Sequence, residues 1–204
     1  MITRIRAFGR VLAFCLAACV ITTPASAQTP PPPAAEKPAP GPDAKPSGDA
    51  STARELRLEP RPALSLKGES SWDDGYEKLL ASFKALRAEA RRLGIASTAK
   101  PLTAFLHTDD QGFRFEALLA LENAPDAALK PGKSFAFTQT PAGRAFVFKH
   151  TGAYDDIDST YEAITAWLDE KGLSAKGAFL EEYLTEPEDS DDTLLELNVY
   201  VFVE

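Results

Sequence analysis

Hydrophobic positions alternate most regularly at the end of the chain, where Leu195, Leu197, Val199, Val201 and Val203 interleave with Glu196, Asn198, Tyr200, Phe202 and Glu204. A period of two places the first set on one face of a strand and the second on the other. Phe113, Phe115, Ala117, Leu119 and Leu121 alternate in the same way with Arg114, Glu116, Leu118 and Ala120. The run Asp109-Asp110-Gln111-Gly112 just before them is turn chemistry, so 102–107 and 113–121 read as the arms of a hairpin. Upstream the period changes. Tyr76, Leu79, Leu80, Phe83, Leu86 and Leu93 recur at helical spacing, with Asp73 and Asp74 suited to a helix N-terminus and Gly94 to its end, which predicts a helix over 72–93. Residues 63–67 predict a strand, placed at a sheet edge by Pro60 and Pro62 before it.

The same order of elements recurs 82 residues further on. Ala145–Lys149 answers Ala63–Lys67, Tyr154-Asp155-Asp156 answers Trp72-Asp73-Asp74, and 195–204 answers 113–122. The second helix carries Tyr161, Ile164, Trp167 and Leu168 on one face and closes at Gly172, before strands at 179–185 and 195–203. The acidic run 186–192 lies between those two strands and is expected to be solvated. This predicts an α+β fold of two tandem strand-helix-strand-strand modules, joined in one antiparallel sheet with both helices on one face. The face away from the helices then carries aromatic side chains among polar ones, a candidate cleft.

Ahead of these modules the chain has a different character. Residues 1–10 are basic and 11–21 are apolar, a stretch too short to span a bilayer. Ala25-Ser26-Ala27 supplies small residues for a signal peptidase, predicting a signal peptide over 1–27. The alternative is a lipobox, Leu16-Ala17-Ala18-Cys19, with Cys19 lipidated as the new N-terminus. Residues 28–50 hold eight prolines and no Val, Ile, Leu or aromatic residue, so 28–54 reads as a disordered Pro-rich tether and 55–204 as the folded domain. The expected location is periplasmic or secreted, with the membrane reached only through a lipid at Cys19. Both cysteines, Cys15 and Cys19, lie in the leader, so the domain has no thiol for a disulfide, a nucleophile or a zinc site. The net charge of -8 becomes -11 once the three leader arginines are lost, which argues against nucleic acid as a partner.

Residues 143–187 carry a resemblance. They contain Gly-Arg-Ala-Phe-Val-Phe-Lys-His-Thr-Gly-Ala-Tyr, then Ala-Trp-Leu-Asp-Glu-Lys-Gly-Leu, then Glu-Glu-Tyr-Leu-Thr-Glu-Pro. Together with the duplication over 55–204, these segments resemble the GyrI-like effector-binding family of small-molecule-binding domains. The resemblance implies a ligand cleft between the two halves, open to flat, hydrophobic, cationic molecules, and some members look like hydrolases of strained cyclic compounds. The family's last strand matches Leu197–Phe202. Tyr200 is kept there, but Asn198 stands in place of a carboxylate and cannot act as an acid or base near neutral pH. Glu116 holds the matching place in the first half.

The candidate ligand-binding residues are therefore Trp72, Glu116, Tyr154, Tyr183, Asn198 and Tyr200. His150 is expected to bond backbone at a strand end, Trp167 to pack in the core and His107 to be exposed. Gly132-Lys133-Ser134 lacks the glycine spacing of a phosphate-binding loop, since Ala127 occupies the position five before Gly132. No catalytic motif, metal site or cofactor is expected. The function expected is an exported protein that holds an amphipathic, cationic or aromatic small molecule between its repeats. Two alternatives stand beside it: a hydrolase of reactive small molecules using Glu116, and an envelope-associated interaction protein.

Overall fold

The structure is a computed structural model that describes residues 53–185 and 189–204. The expected leader, nearly all of the tether and part of the acidic run lie outside these residues. The elements are β1 (Arg54–Leu58), β2 (Pro62–Ser71), α1 (Gly75–Arg92), β3 (Pro101–Thr108), β4 (Gly112–Ala120), β5 (Phe135–Gln139), β6 (Gly143–Thr151), a 3-10 turn (Tyr154–Asp156), α2 (Ile157–Lys171), β7 (Phe179–Tyr183) and β8 (Glu196–Phe202). All pairings are antiparallel, in the order β1-β6-β8-β7-β3-β4-β2-β5. The first element among the described residues begins at Arg54.

The duplication holds at the level of register. Ala63 pairs with Ala120 and Lys67 with Glu116; 82 residues on, Ala145 pairs with Phe202 and Lys149 with Asn198. The helices differ by one turn. α1 has 18 residues and α2 has 15, yet both end the same way: Ile95 N–H donates to Ala90 O and Leu173 N–H to Leu168 O, each at 2.9 Å, around Gly94 and Gly172 at positive φ. Losing about one 3.6-residue turn shortens a helix without rotating its buried face. The repeat spacing falls from 82 to 78 across α2, so β7 follows β3 in register with Thr103 and Glu181 as counterparts, and these two face each other across the β3–β7 ladder.

The predicted β2 edge is corrected by the structure. β2 lies between β4 and β5, and its prolines are tolerated because Pro62 is the first residue of the strand and needs no N–H there. Two strands that sequence periodicity did not suggest, β1 and β5, complete the sheet. Each is the leading strand of one module and pairs with the other, β1 with β6 and β5 with β2. The two ladders share one register: Arg54 pairs with Val147, Leu58 with Gly143, Pro62 with Gln139 and Leu66 with Phe135. Extending them toward each other sets Pro60 opposite Pro141, and neither proline has an N–H to give. Hydrogen bonds resume at once beyond them, from Thr140 N–H to Arg61 O at 2.9 Å and from Arg61 N–H to Thr140 Oγ1 at 3.0 Å.

β1 and β2 stand near opposite ends of the strand order but are joined by only residues 59–61. A flat sheet would separate β1 from β2 by ~29 Å, far beyond the reach of so short a link. The sheet therefore curls until its ends meet. Its outer face packs under both helices, where Leu79, Phe83, Leu86, Ile164 and Leu168 join Leu64, Phe115, Phe148, Leu197 and Val199 in one core. Its inner face holds a smaller cluster of Ala63, Leu102, Ala104, Leu118, Ala145, Leu180 and Phe202. The expected open face is thus largely closed by the sheet's own curvature: Leu118 and Leu180 are 1% and 2% exposed with no helix over them. His150, fully buried, sets Nδ1 2.7 Å from Thr160 Oγ1 and Nε2 3.2 Å from Ala153 O, and burial holds its pKa below the ordinary value.

The exchanged strands give a direct test. A chain beginning after Pro60 lacks β1 and should lose about 2 kcal/mol from the ladder and the half-buried Leu56 and Leu58. Hydrogen exchange should show the loss first in β6, which is the strand left uncovered although it lies more than 80 residues away in sequence. Protection lost first in β2 instead would contradict the pairing.

Candidate functional site

β7 alternates like any strand, and the alternation divides two neighbouring acids. Glu182 points to the inner face. Glu181 and Tyr183 point toward the helices, and both are fully buried. Three phenols converge on the Glu181 carboxylate. Tyr183 Oη donates to Oε2 at 2.5 Å, Tyr154 Oη to Oε2 at 3.1 Å and Tyr161 Oη to Oε1 at 2.7 Å. Tyr154 comes from the 3-10 turn and Tyr161 from the first turns of α2, so this helix is what aims two of the three donors.

Rings close the space above the carboxylate. Tyr76 of α1 stacks on Tyr154 with centroids 4.5 Å apart, Phe83 meets the edge of Tyr183 at 4.9 Å, and Tyr161 meets Phe179 at 5.4 Å. The seam between the two modules, where the resemblance implied a cleft, is filled by these side chains. Burial pushes the Glu181 pKa up while the three phenol hydrogen bonds oppose that shift. Burial and the neighbouring carboxylate in turn push Tyr154, Tyr161 and Tyr183 well above the usual phenol range. The donors serving this acid are neutral. Hydroxyl hydrogen bonds offset part of a buried carboxylate's desolvation penalty, and for Glu181 burial remains the larger influence.

The structure separates the six sequence-predicted residues. Tyr154 and Tyr183 stand together at Glu181. Trp72 lies at the end of the first module, half exposed, with its indole N–H donating to Asp109 O at 2.8 Å and its ring 5.1 Å from Phe113. Glu116, Asn198 and Tyr200 sit on the inner face. Tyr200 Oη donates to Glu182 Oε2 at 2.6 Å, and Asn198 Nδ2 donates to the same oxygen and to Tyr200 Oη at 3.2 Å each. Burial and Glu182 push the Tyr200 pKa up to about 12. Glu116 faces Lys67 and Ala104 across its ladders. Two surface hollows lie elsewhere: one of about 330 Å3 beside the β3–β4 hairpin, lined by His107, Asp109 and Arg114, and one of about 410 Å3 between β2 and α1, lined by Lys67, Lys78 and Ser82.

Sequence reasoning missed Glu181, Tyr161, Tyr76 and Phe83 as parts of a site. The signal for Glu181 was present, since it stands two residues before Tyr183 and so shares its face. The two helical tyrosines and Phe83 fit an ordinary apolar stripe, which gives no sign that Tyr161 Oη reaches Glu181 or that Tyr76 and Phe83 pack on the rings beside it.

The family model of the GyrI-like small molecule binding domain matches residues 52–204. Among solved structures, the crystal structure of the EcmrR C-terminal domain aligns with a TM-score of 0.63 at 18% identity, covering 75% of this chain and 97% of that one. In the cryo-EM structure of the EcmrR–DNA complex the TM-score is again 0.63 at 17% identity, but the match spans only 57% of the EcmrR chain. A crystal structure of a hydrolase from Listeria innocua aligns with a TM-score of 0.55 at 14% identity, covering 74% of this chain and 91% of that one. At such identities the likeness is one of fold. No curated protein matches the chain.

The penalty on Glu181 can be measured. Its pKa is raised in the folded state, so as pH rises above about 4.5 the unfolded chain gives up this proton before the folded one does, and stability falls. Glu181→Gln removes that loss. The variant should match the wild type near pH 4 and exceed it at pH 7 by on the order of 1 kcal/mol, roughly 2–4 °C in unfolding midpoint. A variant less stable than the wild type at pH 7 would show that the carboxylate is adequately paired as it stands.

Proposed function

This chain belongs to the GyrI-like small molecule binding domain family, and we propose that it is a capture protein for a small aromatic cation held over Glu181 between the two modules. The observation that carries the reading is a fully buried carboxylate whose hydrogen-bond donors are phenols and whose surroundings are ring faces and edges. Such an arrangement lacks a positive charge more than anything else. A cation entering it gains Coulomb attraction in a site with little water, and each close ring contact adds about 0.5–2 kcal/mol. Binding requires the Tyr76–Tyr154 stack to part, since those rings cover the acid. Asp155, Asp189 and Asp192 act on the Tyr76 hydroxyl from outside, a negative approach consistent with a positive ligand.

The hydrolase alternative assigned Glu116 as acid or base, but the ring cluster and its buried carboxylate lie on the other face of the sheet. Export is part of the proposal. The basic-apolar-small pattern of 1–27 supports a protein that works outside the cytoplasm, either free after cleavage before Gln28 or held by a lipid on Cys19. The mass of the mature N-terminus distinguishes the two forms, and an unprocessed Met1 or its initial residues would remove export from the proposal.

Two binding measurements test the ligand class. Calorimetry with a permanently charged aromatic cation and its neutral isostere should show tighter binding of the cation, and Glu181→Gln should weaken the cation by about tenfold or more while leaving the isostere unaffected. Cation affinity should also rise with pH from about 4.5 upward, as the carboxyl with the raised pKa ionises, and then level off. Equal affinity for cation and isostere, or a flat pH profile for the cation, would refute a charge-based site.

A further inference from the structure

Among the described residues, two buried side-chain hydroxyls have no hydrogen-bond partner, Tyr76 Oη and Thr103 Oγ1. Both belong to the first module, and both border the site over Glu181. Tyr76 is the ring stacked on Tyr154. Thr103 is fully buried and is the direct cross-strand partner of Glu181, so their side chains leave the same face of the sheet with Cβ atoms about 5 Å apart. The repeat gives this pair a special position. Thr103 occupies in the first module the place that Glu181 occupies in the second, so the local two-fold axis passes between a hydroxyl and a carboxylate.

Counting hydrogen-bond capacity narrows what could fill the gap. A carboxylate offers about four acceptor positions, and phenols take three of those on Glu181. One is left. The Thr103 hydroxyl, with its own acceptor positions unused, lies on the other side of the axis. A fully alkylated cation could use the charge and the rings but has no N–H to give either group. A cation bearing at least two N–H bonds could donate one to Glu181 and one to Thr103 Oγ1, meeting both vacancies with a single nitrogen centre.

We propose that the ligand is an N–H-bearing aromatic cation, a protonated amine or an amidinium, and that Thr103 is the residue that selects it over permanently alkylated cations. This rests on the reading of Glu181 as a cation site. The preference it predicts runs against the tendency of aromatic cages, which suit weakly hydrated quaternary ions.

A matched pair of probes tests it: the 2-naphthylmethylammonium ion and its N,N,N-trimethyl counterpart, titrated into the wild type, Thr103→Val, Thr103→Ser and Glu181→Gln at pH 7.5. The wild type should bind the ammonium at least about tenfold more tightly than the trimethyl ion. Thr103→Val should erase that ratio by weakening the ammonium alone, with no fall in the unfolding midpoint of the free protein, because it deletes an unpaired buried hydroxyl. Thr103→Ser should retain the ratio, and Thr103→Ala makes the same deletion if the valine variant fails to fold. Wild-type binding that is equal for the two ions, or tighter for the trimethyl ion, overturns the proposal while leaving the cation site intact. A ratio that survives the loss of the hydroxyl does the same, because it would then reflect size. Failure of both ions to bind, or binding indifferent to Glu181→Gln, overturns the cation site and this inference together.

Discussion

The β3–β7 ladder is the contact on which the molecule depends. Four residue pairs, from Leu102 with Glu182 to Phe105 with Phe179, join two modules that also meet through the exchanged strands and through the Tyr76–Tyr154 and Phe83–Tyr183 ring contacts. Because the modules are copies, this ladder brings corresponding positions face to face, and the residues at its centre lie under the rings that both helices contribute. Strand alternation then decides the rest. Glu181 rises among the rings, while its neighbour Glu182 turns to the inner face and is held by Tyr200 and Asn198. Two acids adjacent in sequence acquire opposite surroundings from one peptide bond between them.

The ring cluster accounts for how a charge tolerates such a position. Phenols are large enough to contribute to a core and carry one donor each at the far end, so Tyr154, Tyr161 and Tyr183 pack as hydrophobes and still deliver hydrogen bonds to the same carboxylate. Three neutral donors lower the penalty without cancelling it. Ionising Glu181 therefore costs the folded state stability, since burial holds its pKa up despite the three donors.

Much of the fold was legible in the sequence because the repeat made each weak signal appear twice. The alternation in β8, the helical stripes, the turn at Asp109–Gly112 and the spacing of 82 residues fixed both modules and which face of β8 is buried. What escaped was set by contacts between modules. β1 and β5 are thinly buried and flanked by prolines, so neither has a strong period of two, and only their partner in the other copy makes them strands. The curl of the sheet follows from that exchange, which is why Glu116, Asn198 and Tyr200 seemed to line an open surface. Glu181 was hidden differently, since it sits in a Glu-Glu-Tyr run that composition alone reads as solvated.

The proline pair at Pro60 and Pro141 has a consequence for how such a molecule could arise. It marks the midpoint of two long strands that cross module boundaries, each half of which is satisfied only by the other copy. A polypeptide with a single unit would have half of one long strand with nothing to pair with, and a twin of itself would be the one surface of matching register. Carrying both copies in one chain allows the two central positions to differ, which two identical units related by symmetry could not do: here one is Glu181 and its counterpart is Thr103.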